Sequence, residues 1–375
     1  MIPLHVPPLS IRETLAFPRE DYATKLEDQL RDNLNKRGAV LTATGRDAIR
    51  LALRSLSLER HDKVLVPAYA CQAIRIVVEQ VCEPVYVDID PNTLNMDVDR
   101  IESSITGDTR AILAVHLYGN PCDMERITDI AKSRKLAVIE DVAQGLGGSY
   151  RGRMLGSFGD FAVFSFRFSK DTTSFRGGAL LSNEDLDIHL QPRSSALVFP
   201  PVLLTTLALQ CIRFMPPILY SGARRNVLFP FFNRNAARYR PSDQTLSNYQ
   251  SYLISRQFEK MGRIIEKRRQ NAAYYAEKLH GTVTTPVETD GARHTYFRYT
   301  IQVDKREQLL RFLLRHGVEV DKMYDYSLAP GDDCPHSAAA GRRNLNIPVH
   351  HELRPDDLAK VVGLINRFKA AEGTA

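Results

Sequence analysis

A chain of 375 residues with 43% hydrophobic and 25% charged side chains can bury a large core and has the composition of an ordinary globular protein. The net charge of +6 is small for this length, and the Lys and Arg residues are dispersed apart from short clusters such as Arg224-Arg225 and Lys267-Arg268-Arg269, which argues against a dedicated nucleic-acid surface. The five cysteines (Cys71, Cys82, Cys122, Cys211, Cys334) lack metal-ligand spacing, so no metal site is expected. No run reaches the ~18 apolar residues of a spanning helix, and no signal peptide is evident; a cytoplasmic protein with reduced thiols is expected.

In chain order, a Pro-rich start leads to a predicted short helix around Tyr22–Asn33. ATGRDAIRLALRSL (43–56) places Ala48, Leu51, Ala52 and Leu56 at helical spacing, with Thr44-Gly45-Arg46-Asp47 where that helix would begin. Strand-like runs follow at 64–68, 84–89, 111–115, 136–140, 161–166 and 179–182, with helical patterns at 72–81, 97–105 and 124–134. This alternation predicts a mainly parallel sheet with helices on both faces, whose ligands gather at the carboxyl ends of the strands. His116, Asp141 and Lys170 fall near such ends.

Residues 190–240 break the pattern with six prolines and a long apolar stretch. A long helix is predicted from Leu246 to His280, stopping at Gly281, then a strand at 296–303, a helix at Arg306–His316 and a last helix from Pro355 to about Ala370. The expected organisation is a large α/β domain over 1–240, with an atypical apolar insertion at about 190–235, then a linking helix and a smaller α+β domain over 241–375.

The chemistry concentrates between Val138 and Ser182. Lys170 follows the apolar run FAVFSF and precedes a Gly-Gly pair, and VIED ends in Glu140 and Asp141. A lysine amine can condense with an aldehyde cofactor, and a strand-end carboxylate can keep a cofactor ring nitrogen protonated so that the ring withdraws electrons. Burial and a cationic ring would lower the amine's pKa, leaving it able to shuttle a proton.

EDVAQGLGGSY (140–150), GSFGDFAVFSFRFSK (156–170) and RGGALL (176–181) resemble the core motifs of the DegT/DnrJ/EryC1/StrS family of sugar aminotransferases, as do VLVPAYA (64–70), PVYVDIDPNTLNMD (84–97) and VHLYGNPCDM (115–124). The similarity is strong over roughly 35–185 and looser over 245–370. It implies a fold-type I enzyme dependent on pyridoxal 5'-phosphate, with Lys170 as the cofactor lysine and catalytic acid-base. Asp141 is implied as the partner of the ring nitrogen and Gln144 as the contact to the ring hydroxyl. Ser165 and the Gly45-Arg46-Asp47 turn occupy the family's phosphate-binding positions, Arg46 standing where a small hydroxyl residue is usual. The residue covering the ring aligns with Cys71, with Tyr69 as the alternative. A homodimer with shared active sites is implied, in which Asp243 aligns with the partner-supplied phosphate contact and Asn235 or Arg240 are substitutes.

His116 is read as packing near a strand end, and His294 and His350-His351 as candidates for the substrate entrance. In the stretch 198–220, Leu203, Leu207, Cys211 and Phe214 share one helical face, and Thr206, Gln210 and Arg213 another. Such a helix suits added core or dimer packing, or else a peripheral membrane contact or a cover over a lipid-bearing or bulky substrate. The resemblance implies amino transfer, from glutamate, to a keto group of a nucleotide-activated sugar. An aminotransferase for a lipid- or carrier-linked carbonyl and a non-catalytic cofactor-binding regulator remain as alternatives.

Overall fold

Leu26, Leu30 and Leu34 recur every four residues and are buried along one face of helix α2 (Tyr22–Leu34), which follows the short helix α1 (Ile11–Leu15) and begins at an Asp21 cap. The structure, a computed structural model, describes residues 1–168, 170–212 and 239–373. Beyond α2 come β1 (Gly38–Thr42), α3 (Gly45–Ser55), β2 (Lys63–Pro67), α4 (Gln72–Val81), β3 (Glu83–Val87), α5 (Ile101–Ser104), β4 (Thr109–Val115), α6 (Met124–Arg134) and β5 (Ala137–Asp141). A small hairpin, β6 (Ser149–Tyr150) and β7 (Arg153–Met154), leads to β8 (Phe161–Ser165) and β9 (Gly178–Ser182).

The seven long strands form one sheet in the order β1-β9-β8-β5-β4-β2-β3. Neighbours from β3 to β8 run parallel, whereas β9 runs antiparallel to β8 and β1 antiparallel to β9. The mainly parallel sheet flanked by helices is the fold-type I arrangement. Alternation along each strand sorts the core into two layers. Val64, Val66, Leu113 and Ile139 pack with α3 and α4 on one face. Leu65, Ile112, Ala114 and Val138 pack with α2 and α6 on the other.

The chain continues through β10 (Gln191–Pro192), α7 (Ser195–Ile212), β11 (Gln244–Thr245) and the 32-residue helix α8 (Asn248–Leu279). Ser247 and Gln250 form a capping box that starts α8, and its rise of about 1.5 Å per residue carries it from one part of the molecule to another. Its Ile254 belongs to the α2 side of the sheet, while Ala272, Tyr275 and Leu279 belong to a third cluster. The chain goes on through the short strand β12 (Ala292–Arg293), which pairs with β6, then β13 (Tyr299–Gln302), α9 (Arg306–Arg315), α10 (Pro335–Arg343), β14 (Asn344–Ile347) and α11 (Pro355–Gly373); β13, α9, β14 and α11 complete the third cluster, with β13 and β14 antiparallel. Ile2 joins the same cluster and its N–H donates to Gly317 O (2.8 Å).

Helix α7 departs from the face expected of it. Val202 and Thr206 turn inward, while Leu197, Leu204 and Leu207 are exposed, Leu197 to 78%. Thr206 survives burial because its hydroxyl donates to Val202 O (2.9 Å) within the helix. Val198, Phe199 and Val202 pack against Tyr249 and Leu253 of α8. The faces assigned to Phe214 and Arg213, and the substitute Asn235, lie outside the described residues.

Candidate active site

The carboxyl ends of the parallel strands converge on a cavity of about 710 Å³ whose wall includes Gly45, Asp141, Ser165 and Lys170. Asp141 is the last residue of β5 and Ser165 of β8, so register places both at the same edge of the sheet. Lys170 follows β8 on a loop that the long helix α8 holds from behind. Gln257 of α8 accepts the Thr173 N–H (2.9 Å) and donates to Thr173 O (2.8 Å), and Gln250 donates to Ser174 O and Arg176 O (3.2 Å each). Arg268 completes the grip through a buried ion pair with Asp171.

Burial lowers the Lys170 amine below the ordinary lysine range, with Asp141 opposing in part. Its Nζ lies 5.4 Å from the centroid of the Phe297 ring. Burial raises the Asp141 carboxyl, against the pull of Lys170 and of the Ala143 N–H, which donates to Oδ1 (2.9 Å). Glu140, next in the chain but on the other face, is pushed up by burial and more than recovered by its partners, so it lies below its ordinary value. It accepts N–H groups from Gly156 (2.7 Å), Phe158 and Gly159 (2.6 Å each) and pairs with His116 Nε2 (3.3 Å). Since His116 Nδ1 accepts the Cys122 N–H (3.0 Å), Nε2 is the protonated nitrogen that donates to Glu140. His116 is thus a buried packing and bonding residue.

An anion cradle adjoins the lysine. Thr44 caps α3 and spends its carbonyl and hydroxyl on the Asp47 N–H, leaving the Gly45 and Arg46 amides at the head of the helix. A Cβ on Gly45 would lie 2.9 Å from Ser165 Cβ, so only glycine lets the helix end meet the serine hydroxyl. A Cβ on Gly178 would lie 2.6 Å from Gly45 N, and Gly177 has a φ of +134°, so both positions of the Gly-Gly pair beneath this turn call for glycine. Arg46 also lines the cavity and stacks over the Tyr239 ring (5.1 Å).

Three expected contacts are placed elsewhere. Asp47 turns away from the cavity: its carboxylate accepts Thr44 Oγ1–H (2.7 Å), Tyr239 O–H (2.7 Å) and Ser242 N–H (3.1 Å), tying the segment before α8 to the start of α3. Tyr69 is fully buried in a network with Tyr118 OH (3.0 Å), Tyr324 O (2.8 Å) and Asn344 Nδ2 (3.1 Å), so Cys71, not Tyr69, lies at the cavity wall. Gln144 accepts the Tyr118 N–H (3.2 Å) and donates to Tyr324 OH (3.3 Å), and is not among the described residues lining the cavity. In each case a polar group pairs with a buried partner that the sequence interval does not reveal.

Asp243 and Arg240 are exposed. His294, His350 and His351 are not among the described lining residues. His294 is held neutral, its pKa pushed down to about 3 by burial and the charge of Arg269, and it stacks on Tyr296 (4.0 Å). Among the described residues no His, Cys, Asp and Glu cluster could hold a metal ion, and no helix is long and apolar enough to cross a membrane. Sequence reasoning missed Tyr324, Arg167, Arg176, Arg193 and Phe297, which also line the cavity. Arg176, directly before the glycine pair, carried the one local signal.

A family model described as the DegT/DnrJ/EryC1/StrS aminotransferase family matches residues 13–191 and 232–366. The chain is 30% identical to a pleiotropic regulatory protein of Geobacillus stearothermophilus, over 93% of this chain and 89% of that one. It is 29% identical to a GDP-perosamine synthase of Escherichia coli O157:H7, over 98% of each chain. A DegT DnrJ EryC1 StrS aminotransferase from Brucella abortus superposes with a TM-score of 0.75 at 25% identity, covering 96% of this chain and 94% of that one.

Proposed function

Because the chain belongs to the DegT/DnrJ/EryC1/StrS aminotransferase family, whose enzymes depend on pyridoxal phosphate, we propose that it moves an amino group from glutamate to a keto group of a nucleotide-activated sugar. The observation that carries the reading is the meeting of Lys170, Asp141 and the Gly45–Ser165 cradle in one cavity. These residues suit the cofactor: a helix N-terminus, a hydroxyl and the Arg46 guanidinium for its phosphate, and a buried carboxylate for its ring nitrogen.

When bound, pyridoxal phosphate supplies a carbonyl that exchanges with amines and a ring that accepts the electron pair of a broken C–H bond. The chain supplies the rest. Lys170 Nζ, favoured as the neutral amine by burial, takes a proton from one carbon and returns it to another. Asp141, held in place by the Ala143 N–H, keeps a ring nitrogen charged. Gly45, Arg46 and Ser165 fix the phosphate, so that the reacting atoms stay beside Lys170.

The enzyme is read as a cytoplasmic homodimer whose partner subunit completes the phosphate site, which sedimentation analysis can check. The relative named as a regulatory protein motivates a second reading, a cofactor-binding regulator with an idle lysine. One absorption experiment separates the two. Purified protein should take up pyridoxal phosphate with a visible band that is absent in Lys170→Ala, and glutamate should convert it to the aminated cofactor. A band that glutamate leaves unchanged, or one that Lys170→Ala retains, would favour the regulator, and no band at all would sink both.

A further inference from the structure

The cavity carries more positive charge than one bound phosphate monoester requires. Among the described lining residues five side chains are cationic, Arg46, Arg167, Lys170, Arg176 and Arg193, and one, Asp141, is a carboxylate. Arg46 adjoins Gly45, Arg167 follows Ser165 by two residues, and each feels the other's charge. A phosphate monoester of about −1.5 to −2 charges at the cradle balances that inner pair. Arg176 and Arg193 are left over.

These two come from separate segments, Arg176 from the turn before Gly177 and Arg193 from the residue after β10. Burial and then the nearby charge of Arg176 hold the Arg193 guanidinium below its ordinary value. Among the described residues neither has a carboxylate partner. Arg193 Nε donates to Gln244 Oε1 (3.0 Å), brought across by the pairing of β10 with β11, which leaves its other N–H donors available. Arg193 also stands two residues before the N-terminus of α7, an end that favours anions. Two like charges at one wall repel, and an anion between them relieves the repulsion.

We propose that Arg176 and Arg193 form a second anion subsite in the outer half of the cavity, which takes the diphosphate of the keto substrate. A diphosphate diester has one negative charge on each phosphate, matching the two guanidiniums. Leu197, Val198 and Pro201 of α7 line the same cavity, so the group beyond the diphosphate meets an apolar wall. The subsite rests on the aminotransferase reading and adds the residues that recognise the activated end of the substrate. A nucleoside diphosphate and a polyprenyl diphosphate share this chemistry.

Calorimetric titration of the pyridoxal-phosphate-loaded protein tests it, with inorganic pyrophosphate, UDP, GDP and geranyl diphosphate as probes. Pyrophosphate should bind the wild type, and Arg176→Gln and Arg193→Gln should each weaken it by about tenfold or more, while the cofactor band stays unchanged. Arg193→Lys, which keeps the charge, should retain more affinity than Arg193→Gln. UDP or GDP binding more tightly than geranyl diphosphate supports the subsite with a nucleotide as the source, and the reverse order supports it with a polyprenyl carrier. Equal pyrophosphate affinity in wild type and both glutamine variants, or none in the wild type, overturns the subsite. The band, read in the same samples, separates that outcome from failure of the aminotransferase reading.

Discussion

The carboxylate of Asp171 and the guanidinium of Arg268 form an ion pair with side-chain exposures of 3% and 1%, one residue along from Lys170. The pair fastens the lysine loop to the middle of α8. Removing one partner strands a buried charge, so Arg268→Met is expected to cost about 3–5 kcal/mol. Asp171→Leu combined with Arg268→Met should cost less than the sum of the two single changes. Urea denaturation of the four proteins measures both, and a purely additive result would show that the pair does not act as a unit.

Glu140 gives a pH-dependent stability. Its carboxyl lies below its ordinary value of 4.5, because His116 and three backbone N–H groups outweigh burial. A lowered carboxyl stabilises the fold above the unfolded-state value and loses that contribution as pH falls through the folded one. The stability difference between wild type and Glu140→Gln should therefore be about 1–3 kcal/mol at neutral pH and shrink as pH drops below 4.5. Denaturant midpoints across that range check it; a constant difference would contradict the assignment.

Lys170 gives a slope of the same sign for a different reason, because here the folded state disfavours the charged form. Its amine is lowered from 10.5, so the unfolded chain holds the proton more tightly than the folded one. Apoprotein stability should rise as pH increases from the folded value toward 10.5, by about 1.4 kcal/mol for each pH unit of lowering. Lys170→Met should lack this component of the slope. Equal slopes in the two apoproteins would mean that the lysine is as well solvated as in the unfolded chain.

Much of the fold was legible. The helices at 72–81 and 124–134 match their predicted spans, because buried positions three and four apart need no distant partner to be recognised. The β1 strand and its pairing with β9 were not read, and neither was the reversal of β9, since a strand's neighbour and direction depend on residues far along the chain. The same limit explains α7: its apolar spacing named a face, but packing on Tyr249 and Leu253 chose Val202 and Thr206 instead.

At the site, the sequence by itself determined the reactive groups and their order: an acidic strand end, a serine ending the next parallel strand, a lysine beyond it and a glycine pair. These are local features, set by which side chains the chain carries next to which breaks in periodicity. Only the tertiary structure decided which neighbours face the cavity. Asp47, Tyr69 and Gln144 turn to buried partners, while Tyr324 and Arg193 arrive from elements whose sequence distance hides them. Burial makes the choice, because each desolvated polar group must find a partner, and that partner is a matter of three-dimensional proximity.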